Sequence, residues 1–301
     1  MQQSKRKLPS LSITQLAEVA AVLCWAGGVP SKKWCNIWCK KVQLLMSIAT
    51  AEELVMVLHA AVGMKIELRP GWVHECLTHL KLRRRELSLR QLADVAHAVA
   101  NLPLRPSLLK HHMGWLRWQL KLLRREWEEL SRQEVLYLLY AAGKLRMRGE
   151  MKRVWVKGGL QQLALGVEGA GPAELAATVV VFANFAGEVK TGWLEGVLVA
   201  VGRQAAVFSN EGLLQVVMAC EGLGCEVGDG EGAVGRLVGV LVGRFRGGMG
   251  MVELTRCCRV LEGGVRKKGF SDWYEGVLRE AKAALGAYGA GAPAEKRGWN
   301  W

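Results

Sequence analysis

The chain has 301 residues, half of them apolar, and a formal net charge of +14. That apolar fraction excludes a chain too polar to build a core, and no apolar run reaches the ~18 residues of a membrane span. The charge is uneven: residues 1–160 hold 27 Lys plus Arg against 12 Asp plus Glu (27 − 12 = +15), and residues 161–301 hold 14 against 15 (−1). Such a basic half predicts a polyanionic partner, either nucleic acid or an anionic membrane surface.

In chain order, residues 1–10 read as a disordered basic arm carrying Lys5, Arg6 and Lys7. A unit then recurs. Leu16, Leu54 and Leu92 stand 38 residues apart, and looser copies open at Val135, Leu175, Leu213 and Leu254. Offsets 0, +3, +4 and +7 from each anchor are apolar almost throughout, which is one helical stripe. Offset +6 is always Val or Ala, small enough for neighbouring helices to approach. Ser12, Thr50, Ser88 and Ser131 each precede Gln or Glu by three residues, the signature of a capping box at a helix start. A link rich in Gly, Pro and polar residues follows, then a second apolar helix opening at Trp34, Trp72, Trp155, Trp193 or Trp273. Trp34, Trp72 and Trp193 are expected in equivalent buried positions.

One helix-turn-helix unit cannot bury its own stripe, so the fold expected is all-α, an αα-hairpin repeat solenoid of about seven units. Residues 11–160 form basic repeats 1–4 and residues 161–285 Gly-rich repeats 5–7. Of 36 glycines, 27 lie after residue 160, so 228–250 reads as a poor helix locally, one that stacking must hold or it frays. A tail at 286–301 is expected to be disordered.

The Leu-x-x-Val/Leu-Ala/Leu pattern followed by a Gly- or Pro-bearing turn and Trp, seen as Leu54 to Arg69-Pro70-Gly71-Trp72, resembles the octotricopeptide-repeat family, which is related to the FAST-kinase-like proteins. The resemblance covers roughly residues 11–285. It implies a single-stranded RNA-binding protein of an organelle, a chloroplast before a mitochondrion, acting on transcript stability, processing or translation, with protein partners possible. No clear transit peptide is seen in this chain. Alternatives in other classes are a ribosome-associated structural protein that clamps ribosomal RNA, and a protein-binding scaffold.

Offsets +2, +5 and +9 lie opposite the apolar stripe and vary from copy to copy. His59, Asp94, His97, Asn101, Tyr137, Tyr140, Lys144, Asn184 and Gln215 are there. They are candidates to face RNA bases, and they also fit a featureless solvent face. The phosphate-facing candidates are Arg83, Arg84, Arg85, Arg117, Lys121, Arg124, Arg125, Arg146 and Arg148. Trp115, Trp118 and Trp127 interleave with the middle of that set on a second helix expected from Ser107 to about Glu129. The same run fits a solvated helix face with tryptophans in the core. No catalytic constellation, cofactor motif or metal-ligand spacing is found. His111-His112 reads as basic surface, and the eight cysteines as reduced small hydrophobes.

Overall fold

The computed structural model describes residues 10–26, 30–64, 66, 68–102, 112, 114–117, 129–147, 149, 151–225, 233–247, 249–265 and 272–289. These residues are mostly helical with no strand among them, and the chain divides into two compact units, 1–155 and 156–301. The first unit holds α1 (Ile13–Trp25), α2 (Lys32–Leu45), α3 (Ala51–Gly63), α4 (Pro70–Leu82), α5 (Leu89–Asn101) and α6 (Arg132–Lys144). Across the boundary runs α7 (Arg153–Leu165); then come α8 (Pro172–Asn184), α9 (Thr191–Arg203), α10 (Asn210–Gly222), α11 (Ala233–Gly247), α12 (Met251–Val265) and α13 (Asp272–Gly289).

The hairpin repeat is the building rule of both units. Each anchor is the fourth residue of its helix, and Leu16, Leu54, Val135, Leu175, Leu213 and Leu254 are fully buried, with Leu92 nearly so. All four expected capping boxes are formed: each Ser or Thr hydroxyl accepts from the backbone N–H three residues on, and that residue's side chain answers to the cap N–H. Two otherwise orphaned donors are thereby satisfied at each start. In the first unit α1, α3, α5 and α6 pack in a row with α2 and α4 alongside; in the second, α8, α10 and α12 make the row with α9, α11 and α13 alongside.

Burial corrects two expectations. Val22, at offset +6, is 62% exposed, whereas its counterparts Ala60, Ala98 and Ala141 are buried. The tryptophans at 34, 72, 155 and 193 all sit third in their helices, but only Trp34 and Trp72 are buried, whereas Trp155 and Trp193 are half-open. Trp38 explains the difference. Its ring lies 6.4 Å from Trp34 and 6.2 Å from Trp72, covering both, and its indole N–H donates to the Leu16 carbonyl at 2.9 Å. Trp193 has Val197 four residues on, and instead carries the Lys190 ammonium 5.0 Å above its ring.

In the glycine-rich stretch residues 233–247 form α11, held by stacking. Val234, Leu237, Leu241, Val242 and Phe245 are buried along it, so packing overrides the weak propensity. Arg244 ties its end down, donating to the carbonyls of Phe208 (2.7 Å) and Ala206 (2.8 Å) and to Asn210 Oδ1 (2.7 Å). At the far end α13 runs to Gly289, four residues past the expected limit of the repeats. No helix among the described residues is long and apolar enough to cross a membrane.

Candidate nucleic-acid interface

The capping boxes set the phase of each first helix, and the phase decides what stays open. On α3, α5 and α6 offsets 0, +1, +3, +4, +6 and +7 are buried, and offsets +2 and +5 are half-open. Because the first helices pack side by side at a constant phase, the half-open positions of adjacent repeats line up. His59, Asp94, His97, Asn101, Tyr137, Tyr140 and Lys144 are brought together in this way.

Four rings form a row across three helices. The His97 and Tyr137 rings stack at 4.0 Å and 11°, His59 lies 6.1 Å from His97, and Tyr140 lies 5.5 Å from it. His59 Nε2–H donates to the Asp94 carbonyl at 2.9 Å, with the Asp94 carboxylate 3.7 Å away. Gln133 Nε2 donates to the Tyr137 hydroxyl at 2.9 Å.

At the C-terminal end of the row Asn101 is saturated. Its Oδ1 accepts from Lys144 Nζ (2.9 Å) and from the Tyr140 hydroxyl (3.2 Å), and its Nδ2 donates to His97 Nε2 and to the His97 carbonyl, both at 3.1 Å. Lys144 also donates to the Tyr140 oxygen at 3.3 Å, which leaves one of its three N–H groups. Asn101 therefore positions its neighbours, and Lys144 presents the outward donor.

Burial pushes His97 down to about 4, with the His59 and Lys144 charges adding to the effect, so this ring is neutral near pH 7. Accepting from Asn101 at Nε2 places its own proton on Nδ1. Burial raises the Asp94 carboxyl, and His59 opposes that rise.

Asn184 and Gln215 belong to the second unit. The row positions on α8 and α10 hold Ala177, Val180 and Met218 beside Gln215, so no ring ladder is built there.

The basic candidates separate into groups. Arg83, Arg84 and Arg85 sit in the link before α5, whereas Arg146 follows α6. First helices of 13 residues hold these two kinds of link about 20 Å apart, so they do not make one track. Arg83 is a brace: its guanidinium donates to the Ser47 carbonyl of the preceding hairpin at 2.8 Å. Gln204 does the same to Ala170 at 3.0 Å, and Arg244 repeats it. Arg84 donates to the Lys81 carbonyl at 3.2 Å, and Arg85 and Arg117 are exposed. Lys121, Arg124, Arg125 and Arg148 lie outside the described residues, as does most of the helix expected from 107 to 129.

Arg146 is the single described non-glycine residue at positive φ, +56°. It closes α6 in a Schellman motif: the Arg146 N–H donates to Gly143 and the Met147 N–H to Ala142. Glycine is the residue suited to this position, so an exposed arginine held there costs the fold. Strain of this kind gathers where the side chain is used, here beside Lys144.

Two features went unread in the sequence. The braces share offset +29 at Arg83 and Gln204, a polar residue just past each second helix, and that recurrence could have been found. His112, expected on the surface, is 4% exposed and pairs with His74 one period away, Nε2 to Nδ1 at 3.0 Å. No family model and no curated protein matches the chain.

Proposed function

We propose that this chain binds single-stranded RNA without catalysing a reaction on it, and that its targets are organellar transcripts, chloroplast ones first, held for stability, processing or translation. The observation that carries the reading is the row of half-open rings His59, His97, Tyr137 and Tyr140, ending in Lys144 and Arg146 on a unit with a large cationic excess. Aromatic surface is what unstacked bases are held by, and cations at the end of the row meet the phosphates. His97 adds to this because it is neutral and keeps its ring in the stack. The likeness to organellar RNA-binding repeat proteins points the same way.

The test is fluorescence anisotropy of the full chain with labelled single-stranded and double-stranded RNA across a salt series. The proposal expects preference for the single strand, affinity falling log-linearly with salt, and loss of binding in Tyr137→Ala and Tyr140→Ala proteins that remain folded. Salt-insensitive or absent binding overturns it in favour of a protein scaffold. Equal binding to duplex RNA overturns the stacking role and favours a clamp on structured ribosomal RNA.

A further inference from the structure

The C-terminus of α10 brings two cysteines to the facing positions of a helix cap. Gly224 stands at φ +68°, its N–H donates to the Glu221 carbonyl at 3.0 Å, and the Cys225 N–H donates to the Cys220 carbonyl at 3.0 Å. That is a Schellman motif, in which the side chains three residues inside the helix and just past the glycine meet. The motif recurs in the fourth copy, where the pair is Ala142 and Met147, both buried. In the second copy the same six-residue bond, Ile66 N–H to the Ala61 carbonyl, brackets Ala61 and Ile66. The sixth copy alone of these three fills both places with sulfur.

We propose that Cys220 and Cys225 form a dithiol that hydrogen peroxide oxidises to a disulfide across this cap. Cys225 is half-exposed and so meets the oxidant, while Cys220 is buried beneath it. The interaction of the two thiols draws Cys225 below its ordinary value while raising Cys220. The thiolate is the nucleophile in both oxidation and exchange, so Cys225 attacks first.

In that step the Cys225 sulfur takes one peroxide oxygen as the O–O bond breaks. The departing hydroxide takes the Cys220 proton and leaves as water, and Cys225 becomes a sulfenic acid. The Cys220 thiolate then attacks the Cys225 sulfur, forming the S–S bond and breaking S–O; the second hydroxide leaves as water once protonated by solvent, replacing the proton that Cys225 had shed on becoming a thiolate. Two thiols and one peroxide give one disulfide and two waters. The other sulfurs are placed differently: Cys257 and Cys258 are adjacent, and burial raises both Cys35 and Cys39.

The chain supplies a direct assay, since the tryptic peptide Gln204–Arg236 contains these two cysteines and no other. The full chain is treated with hydrogen peroxide, alkylated, digested and weighed. The expected result is an unalkylated peptide lighter by two hydrogens, whose halves stay joined after cleavage at Glu221 and separate on reduction. Cys220→Ala, chosen because alanine fills this place in the second and fourth copies, should stop the reaction at a Cys225 sulfenic acid that a dimedone probe captures. Cys225→Ser should leave Cys220 unlabelled. Recovery of this peptide with both thiols alkylated while other cysteines are oxidised overturns the proposal. So does conversion of Cys225 in the unaltered chain to sulfinic acid with no disulfide.

Discussion

Replacing Arg146 by glycine should strengthen the fold and weaken RNA binding together. An L-residue in the left-handed region costs ~1–2 kcal/mol, and the greater freedom of glycine in the unfolded chain returns ~0.4–1 kcal/mol of that. The side chain is exposed, so no packing is lost. A net gain of about 0.5–1 kcal/mol remains, which raises the melting midpoint of a unit this size by about 1–4 °C. Removing one phosphate contact from a single strand lowers the magnitude of the log-affinity against log-salt slope by about 0.7. Arg146→Ala separates the two effects, because it removes the charge and keeps the strained backbone. Calorimetry and salt-series anisotropy on the three proteins are the assays. A glycine variant no more stable than the alanine variant refutes the strain argument, and an unchanged salt slope in both refutes the phosphate role.

Three further outcomes follow from the geometry. Leu54→Ala empties a fully buried anchor and should cost about 2–5 kcal/mol in denaturant unfolding, whereas a loss under 1 kcal/mol would mean that the anchors do not carry the stacking. Arg83→Ala should lower stability by about 1–2 kcal/mol and leave the salt slope alone, and Arg85→Ala should do the reverse; identical behaviour in melting and binding assays would contradict the brace. His97 is held down to about 4 against an unfolded value near 6.5. Below 6.5 the unfolded chain takes up a proton that the folded ring refuses, so stability is lost as pH falls from 6.5 to 4. The loss should be about 1–3 kcal/mol, and it should shrink in His97→Gln when melting is followed over that range.

What the sequence exposes is whatever the period repeats. Leu54 and Leu92 are legible because the same buried environment recurs every 38 residues, and Thr50 with Glu53 because a cap is local chemistry. The half-open face is legible for the same reason: it is what remains once the stripe is placed. Burial of Trp193 is not, because it depends on a covering ring such as Trp38, which offset counting does not supply. Asn101 looks like a base reader until its four hydrogen bonds are seen to be filled from Tyr140, Lys144 and His97. Arg83 looks like a phosphate ligand until its partner is found, and that partner is a backbone carbonyl with no signature in sequence.

The reach of the ties between hairpins has a consequence for synthesis. Thr14 to Glu53, His59 to Asp94, Tyr140 to Asn101, Gln204 to Ala170 and Arg244 to Phe208 are separated by 39, 35, 39, 34 and 36 residues. Each joins one hairpin to the next and none skips a neighbour, so the loop to be closed stays the same size as the chain lengthens. At ~5–20 residues per second a ribosome delivers a further 38 residues in about 2–8 s. A hairpin leaving the exit tunnel therefore waits only seconds for the neighbour that covers its apolar stripe, and the array can consolidate in the order in which it is translated.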